Sequence, residues 1–427
     1  MVYRFFKNTF LLLLLIGFFT RCGSKEQQNA QNIADASHSS MAKVENASAE
    51  LPQKEIIVGA NKTSELLPML KNKRVGIVAN QTSVIFKSNK TYTHLVDSLV
   101  ALKVAVKTVF SPEHGFRGKA DAGEIVKDGK DIKTGLPIIS LYGKNKKPFP
   151  KQLENLDVVI FDVQDVGVRF YTYISTLHYV MEACAEANIP VIVLDRPNPN
   201  GHYVDGPILE KKFKSFVGMH PIPIVHGMTI GEYAQMINGE GWLANKVQCA
   251  ITVIPVDNYT HQTAYSLPIK PSPNLPNDQS INLYPSLCLF EGTPISIGRG
   301  TEKQFQIIGT PEYFLKRHLY SFTPKPNFGA KNPKHNGKEC NGYNLTKEPR
   351  LSELNLEWLL EFYKTHKQYA EKTAFFNKNK FFSKLAGTDK LQQQIEAGMS
   401  EAEIKATWKE GLEAFKKTRA KYLMYEL

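Results

Sequence analysis

The residues best suited to chemistry lie at the ends of short apolar runs. Glu113 and His114 stand between Pro112 and Gly115, directly after one such run. A proline stiffens the approach to the carboxyl group, and a glycine permits a tight turn behind it. A carboxylic acid held in this way is suited to give or take a proton. The structural alternative is a glutamate that caps a helix start or pairs with Arg117.

A second group combines acidic, amide and aromatic side chains. Asp162, Gln164 and Asp165 follow another apolar run, with Arg169 and Tyr171 a few residues further on. Aromatic rings stack on sugar faces and amides bond hydroxyl groups, so this set suits sugar binding. The structural alternative is that Asp165 caps a helix and Arg169 satisfies it, which leaves Asp162 and Arg169 as the stronger candidates.

Two further places supply arginines and another carboxylate. Arg196 lies in a stiff turn rich in Pro and Asn, where an anion contact would go beyond ordinary turn chemistry. Glu291 precedes a glycine-rich loop that contains Arg299, and glycines allow the main chain to approach a ligand closely. Ordinary loop structure is the alternative at both places. Asn80 and Gln81 complete the set at the end of the first apolar run.

These clusters need a scaffold that brings them together. Strands are predicted at 74–79, 104–110, 158–161, 190–194 and 251–256, and helices at 92–102, 173–188 and 230–238. Apolar strands separated by helices indicate a parallel sheet with helices on both faces. Because the carboxyl ends of parallel strands meet at one edge, the sequence predicts a ligand site there.

The pattern changes at Pro271–Pro276, where three prolines in six residues favour an extended segment. We place a boundary there, between an α/β domain at 56–272 and a less regular domain at 273–427. Ser400 with Glu403 predicts a capping box, followed by one helix that runs towards Met424.

The composition narrows the class of function. A net charge of +12 suits an anionic partner, but no basic stripe interleaved with aromatic residues points to nucleic acid. The chain contains no GxGxxG or GxxxxGK[ST] loop, no HExxH motif and no GxSxG elbow. We therefore expect no nucleic acid, no cofactor and no metal. The spacing of the four cysteines beyond residue 22 assigns no disulfide; they are Cys184, Cys249, Cys288 and Cys340.

The first residues predict export. Arg4 and Lys7 precede ten apolar residues at 10–19, which are too few to span a bilayer. Cys22 follows at the place where a bacterial lipoprotein is lipid-modified, although Arg21 departs from the small residue expected there. The alternative is a plain signal peptide. Residues 1–22 are thus interpreted as a lipoprotein-type signal and 23–55 as a flexible tether, with the protein anchored at the periplasmic face of a membrane.

The longest motifs together resemble one family. They are VGIVANQTS at 75–83, SPEHGFRG at 111–118, DVQDVGVRFYTY at 162–173, DRPNP at 195–199, FEGT at 290–293 and GRGT at 298–301. They resemble the exo-β-N-acetylmuramidases of the NamZ type over residues 73–427. The resemblance implies a Rossmann-like, doubly wound N-terminal domain and a smaller α+β C-terminal domain that completes the active-site cleft. It also implies removal of N-acetylmuramic acid from the non-reducing ends of peptidoglycan fragments, so disaccharides and glycan chain ends are the expected partners.

On this hypothesis Glu113 protonates the leaving glycosidic oxygen. Asp162, Glu124 or Glu291 then activates water or attacks the anomeric carbon, unless the substrate's own acetamido group attacks. The predicted catalytic set is Glu113, Asp162, Glu291 and His114, and the predicted binding set is Asn80, Gln81, Arg117, Gln164, Arg169, Tyr171, Arg196 and Arg299. The rivals are a metal-dependent deacetylase or amidase that uses His114 and Asp162, and a muropeptide-binding lipoprotein without activity.

Overall fold

A seven-stranded sheet lies at the centre of the molecule. The computed structural model describes residues 54–87, 91–118, 124, 128–313, 315, 320–370 and 372–427, and Lys54–Leu427 form one compact unit. Cys22 and the predicted signal segment lie outside the described residues, as does nearly all of the predicted tether.

The strands are β1 Val75–Ala79, β2 Val84–Phe86, β3 Tyr92–His94, β4 Val106–Ser111, β5 Gly129–Lys130, β6 Pro137–Ser140, β7 Val158–Asp162, β8 Val191–Leu194, β9 Ile251–Ile254, β10 Ile307–Thr310, β11 Tyr320–Phe322 and β12 Cys340–Asn344. The helices are α1 Thr63–Leu70, α2 Leu95–Ala101, α3 Pro150–Leu153, α4 Tyr173–Glu186, α5 Ile230–Gly239, α6 Asp278–Leu287, α7 Glu357–Tyr369, α8 Phe381–Ala386, α9 Lys390–Glu396, α10 Glu401–Ala406 and α11 Lys409–Arg419.

The large sheet has the order β5-β6-β4-β1-β7-β8-β9, and every neighbouring pair is parallel except β5 with β6. The side chains of β7 alternate between two hydrophobic cores. Val159 and Phe161 face the core that contains α4 and α5, and Val158 and Ile160 face the core that contains α1 and α2. A strand that is buried on both faces has no solvent-exposed side that needs polar residues, which explains the continuous apolar run of β7.

The chain winds from β1 outward through β4 and β6, and then returns to the other side of β1 with β7. This reversal places the switch point of the sheet between β1 and β7, where open α/β sheets bind their ligands. A smaller part follows, with an antiparallel sheet of order β10-β12-β11 and helices α6 to α11. The predicted fold class, a Rossmann-like parallel sheet with a smaller C-terminal part, is confirmed.

Two predicted helices differ from the structure. Residues Tyr92–His94 pair with β2 as a strand, and the helix begins only at Leu95, with the His94 ring accepting a hydrogen bond from the Val96 amide. The capping box of Ser400 with Glu403 is confirmed, but the helix it starts ends at Ala406 and a separate helix, α11, follows.

Candidate active site

A cavity of about 500 Å³ lies at the carboxyl-terminal edge of the large sheet. One wall comes from the loops after β4 and β7, and the other from the segment around Ser272–Leu275 and from residues further along the chain. Five of the predicted site residues line it together: Glu113, His114, Tyr171, Glu291 and Arg299.

The turn after β4 presents Glu113 to this cavity. His114 and Gly115 both have left-handed backbone, with φ of 70° and 80°, and the amide of Gly115 donates to the carbonyl oxygen of Pro112 at 3.1 Å. Left-handed backbone is costly for a residue with a Cβ, so the surrounding structure must hold His114 in place. The sharp turn directs the preceding carboxyl group away from the strand.

Two hydroxyl groups hold the Glu113 carboxyl group. Thr172 Oγ1 donates to Glu113 Oε2 at 2.8 Å, and the Tyr142 hydroxyl is its second partner. Burial, and then the nearby Glu113 charge, raises the pKa of Tyr142 above its ordinary value, so this phenol stays protonated and donates. Sequence reasoning missed both residues, although Tyr142 follows β6 at the same edge of the sheet.

The second carboxylate of the cavity is Glu291, which belongs to a 3-10 turn at Cys288–Gly292. Arg299 donates to Glu291 Oε1 from both Nε, at 3.1 Å, and Nη2, at 2.5 Å. Neither Glu291 Oε2 nor Arg299 Nη1 has a hydrogen-bond partner within the described part of the chain. The ion pair therefore keeps one acceptor and one donor for a ligand.

Aromatic rings form much of the cavity wall. Tyr171 lies edge-to-face on Tyr284 with ring centroids 6.0 Å apart, and Tyr284 packs against both Phe170 and Phe305. The Tyr171 hydroxyl donates to the carbonyl oxygen of Pro271 at 2.8 Å, which fixes its ring. Such a wall offers apolar faces to a sugar ring.

Asp162 and Arg196 are not among the residues that line the cavity, and they pair with each other instead. Arg196 Nε donates to Asp162 Oδ1 at 2.6 Å and Nη2 donates to Oδ2 at 3.0 Å, with both side chains almost fully buried. Burial raises the pKa of Asp162, and the guanidinium opposes that shift. Both carboxylate oxygens of Asp162 are thus occupied by the protein itself.

Two more arginines that were predicted to bind a ligand form their hydrogen bonds with the protein itself. The buried Arg169 guanidinium donates to four carbonyl oxygens, and burial lowers its pKa to about 9. Those oxygens belong to Pro207, Ile222, Leu385 and Ala386. Arg117 pairs with Asp97 at 3.0 Å and Asp131 at 2.8 Å. Arg169 thereby ties α8 to the loops of the large sheet.

The three predicted amide residues fix the loops at the edge of the sheet. Asn80 Nδ2 donates to the Tyr173 hydroxyl at 2.9 Å, and Gln164 Nε2 donates to the carbonyl oxygens of Asp165 and Pro197, both at 2.7 Å. Gln81 Nε2 donates to the carbonyl oxygens of Lys270 and Pro271 at 3.2 and 3.1 Å. These amides hold the loops that carry the cavity-lining residues and do not line the cavity themselves.

Lys334 also lines the cavity, and no sequence signal pointed to it. Glu124, the remaining carboxylate considered from the sequence, pairs with Lys331 at 2.7 Å outside the cavity lining. Within the described ranges, no group of three acidic, His or Cys residues could hold a metal ion. No helix of those ranges is long and apolar enough to cross a membrane. The cysteines of the described chain are buried free thiols.

Comparisons with known proteins identify the family. The model of the N-terminal part of exo-β-N-acetylmuramidase NamZ matches residues 75–279, and that of the C-terminal part matches residues 282–425. The peptidoglycan β-N-acetylmuramidase NamZ of Bacillus subtilis (strain 168) is 41% identical over 372 residues, which cover 83% of this chain and 88% of that protein.

Two crystal structures of DUF1343 family proteins from Bacteroides fragilis NCTC 9343 are also similar. One has a TM-score of 0.78 at 48% identity and covers 87% of this chain and 99% of that one. The other has a TM-score of 0.75 at 28% identity and covers 88% of this chain and 100% of that one. The family predicted from the sequence motifs is confirmed: this chain belongs to the NamZ family of exo-β-N-acetylmuramidases.

Proposed function

We propose that this protein is a glycosidase that releases N-acetylmuramic acid from the non-reducing ends of peptidoglycan fragments. The observation that carries the proposal is one cavity in which Glu113 and Glu291 lie with Arg299 among aromatic walls. Most glycosidases use two carboxyl groups that flank the scissile bond. The related B. subtilis protein is named a peptidoglycan β-N-acetylmuramidase.

Glu113 is the proton donor of the proposed reaction. Its carboxyl group is oriented by the hydroxyls of Thr172 and Tyr142, which fix where the proton is delivered. A proton on the leaving glycosidic oxygen lets the bond to the anomeric carbon break without release of an alkoxide.

Glu291 is the better candidate for the second carboxylate. Asp162 has both oxygens bonded by Arg196, and Glu124 lies outside the cavity lining, whereas Glu291 Oε2 is open to a ligand. That oxygen can take the proton of an attacking water or stabilise the positive charge that develops on the sugar ring. Where the substrate's acetamido group attacks instead, the same oxygen can orient the amide.

Arg299 gives the cavity a preference for an acidic sugar. N-acetylmuramic acid carries a lactyl carboxylate, and guanidinium groups bind carboxylates through parallel N–H donors. The side chain of Arg299 is 26% exposed and its Nη1 group is open within the described part of the chain. A lactyl carboxylate bound there would share the guanidinium with Glu291.

Incubation of the purified protein with peptide-free cell-wall disaccharide tests the proposal. Free N-acetylmuramic acid is the expected product, and E113Q should release none of it while unfolding like the wild type. E124Q is the matched control, because it removes a carboxylate outside the cavity lining and should keep full activity. Binding without release of sugar, or release of acetate in place of sugar, would overturn the proposal.

We also propose that Cys22 is lipidated and that the protein is held at the periplasmic face of a membrane. The proposal is supported by the cationic start, the ten-residue apolar run and the polar segment after Cys22. Labelled palmitate should enter the wild type and not C22S, and the wild type should partition into detergent. Processing of C22S to the same mature size as the wild type would favour a plain signal peptide.

A further inference from the structure

The short turn that carries Glu291 ends in a group of main-chain carbonyls. In the 3-10 turn at Cys288–Gly292 the Thr293 amide donates to the Phe290 carbonyl oxygen at 3.0 Å, and the carbonyl groups that follow lie beyond the helical hydrogen bonds, as at every helix end. Four carbonyl oxygens of this stretch, those of Phe290, Glu291, Thr293 and Ile295, converge on one point. Buried oxygens in such a group need donors or a cation.

The ammonium group of Lys334 occupies that point. Its Nζ atom lies 3.0 Å from the Phe290 oxygen, 3.3 Å from the Glu291 oxygen, 2.6 Å from the Thr293 oxygen and 3.3 Å from the Ile295 oxygen. An ammonium carries three donors, so these four acceptors use all of them. Lys334 therefore lines the cavity without a donor to spare for a substrate.

Other donors bond the carbonyls of Phe290 and Gly292: Thr293 reaches the Phe290 oxygen from its amide at 3.0 Å and from Oγ1 at 2.8 Å, and the Asn377 amide reaches the Gly292 oxygen at 2.8 Å. Asn377 Nδ2 reaches the Glu291 carbonyl oxygen at 3.3 Å, and Arg299 holds the end of the side chain. Without the ammonium, the Thr293 and Ile295 oxygens would lose the donor that holds them beside the Phe290 and Glu291 oxygens. Their repulsion would rotate the peptide groups on both sides of Glu291.

We infer that Lys334 is a positioning residue for Glu291, because its ammonium fixes the main chain of 290–295 and so aims the carboxylate into the cavity. This inference rests on the proposed glycosidase function. It assigns Lys334 no contact with the substrate and no part in proton transfer. A displacement of the carboxylate by about 1 Å would cost about 100-fold in turnover.

The charge of Lys334 also sets a pH limit. Burial lowers its pKa to about 8; Glu291 opposes that shift, and Arg299 adds to it. Cys288 is the other titratable group that acts on it, and the neighbouring His335 bonds the Pro294 carbonyl oxygen instead. Loss of the proton removes one donor and the charge, so turnover should fall as the pH rises through about 8.

Kinetics of Lys334 variants on a chromogenic muramide test the inference. K334M should lower kcat about 100-fold while KM changes less than about threefold, because the substrate contacts remain. K338M is the matched control, since Lys338 is an exposed lysine of the same loop, and it should match the wild type. K334R keeps its charge at high pH, so the activity it retains should lack the alkaline limb near pH 8.

Chemical rescue separates positioning from general damage to the fold. K334A removes the side chain beyond Cβ, and propylammonium supplies the missing atoms with their N–H donors. It should restore kcat at least about tenfold, whereas tetramethylammonium, which carries charge without N–H donors, should not. A wild-type kcat in K334M would overturn the inference. So would equal effects of propylammonium and tetramethylammonium on the kcat of K334A. Absence of turnover in the wild type would instead count against the proposed function.

Discussion

Arg196 binds both carboxylate oxygens of Asp162 at the buried carboxyl end of β7, through contacts of 2.6 and 3.0 Å. Arg196 Nη2 also donates to the carbonyl oxygen of Val84 at 3.1 Å, which ties β2 to the same point. The pair thus joins β2, the carboxyl end of β7 and the loop after β8. Two residues with reactive side chains thus form part of the scaffold.

Loss of one member of this pair should destabilise the protein. D162N and R196M each leave a buried charge or donor without its partner, which costs about 3–5 kcal/mol in the free energy of unfolding. Urea denaturation at neutral pH measures that change. R74M provides the control, because Arg74 pairs with Asp157 at the surface and its loss should hardly alter the midpoint. Equal shifts for R74M and R196M would contradict this interpretation.

Much of the fold could be predicted because the central strands β1, β7 and β8 are buried on both faces. The run at 158–161 extends by only one residue, to Asp162, in the structure. Tyr92–His94 could not be predicted in the same way, since three residues that pair with β2 carry no periodicity that distinguishes them from the helix they precede.

The site could be predicted in part. The Pro-Glu-His-Gly turn pointed to Glu113, because its backbone chemistry is local. Whether a polar side chain faces a cavity or a protein partner depends on tertiary contacts, so the sequence left both Asp162 and Glu291 as candidates for the second carboxylate. Lys334 could not be found at all, since the four carbonyls that surround it meet only in the folded chain.

The hydroxyls that hold Glu113 should matter for turnover more than for binding. Y142F and T172V each remove one donor to its carboxyl group and should lower kcat about tenfold, with small changes in KM. The double variant should lose less than the product of the two effects, since both donors position one group. Y179F serves as the control, because Tyr179 is not among the residues that line the cavity and the substitution keeps its ring stacked on Phe216, which does line it. Unchanged kcat in both single variants would show that these hydroxyls do not position Glu113.

Protonation of His94 should make the free energy of unfolding depend on pH. Its Nε2 lies 2.9 Å from the Asn80 carbonyl oxygen and its Nδ1 accepts from the Val96 amide, so the proton is on Nε2 and the ring is neutral. Burial lowers the pKa of His94 from 6.5 to about 4. Between those values the unfolded chain binds the proton and the folded chain does not, so stability falls as the pH falls from 6.5 towards 4.

The variant H94N isolates this effect, because asparagine can cap the helix and does not titrate. The free energy of unfolding of the wild type should fall by about 1 kcal/mol per pH unit more than that of H94N in this window. Other buried groups contribute equally to both proteins and cancel in the comparison. Parallel pH profiles for the two proteins would show that His94 is not buried in its neutral form.

Arg299 should decide between an acidic and a neutral sugar. In R299M the lactyl carboxylate loses charge-assisted hydrogen bonds worth about 1.5–3 kcal/mol, which corresponds to about 10- to 100-fold in kcat/KM. A chromogenic N-acetylglucosaminide has no lactyl carboxylate. Its hydrolysis therefore reports only what Glu291 loses when Arg299 is removed. The ratio of the two activities should therefore fall at least about tenfold in R299M and less in R299K, which keeps the charge without the planar fork. An equal loss on both substrates would mean that Arg299 serves Glu291 alone.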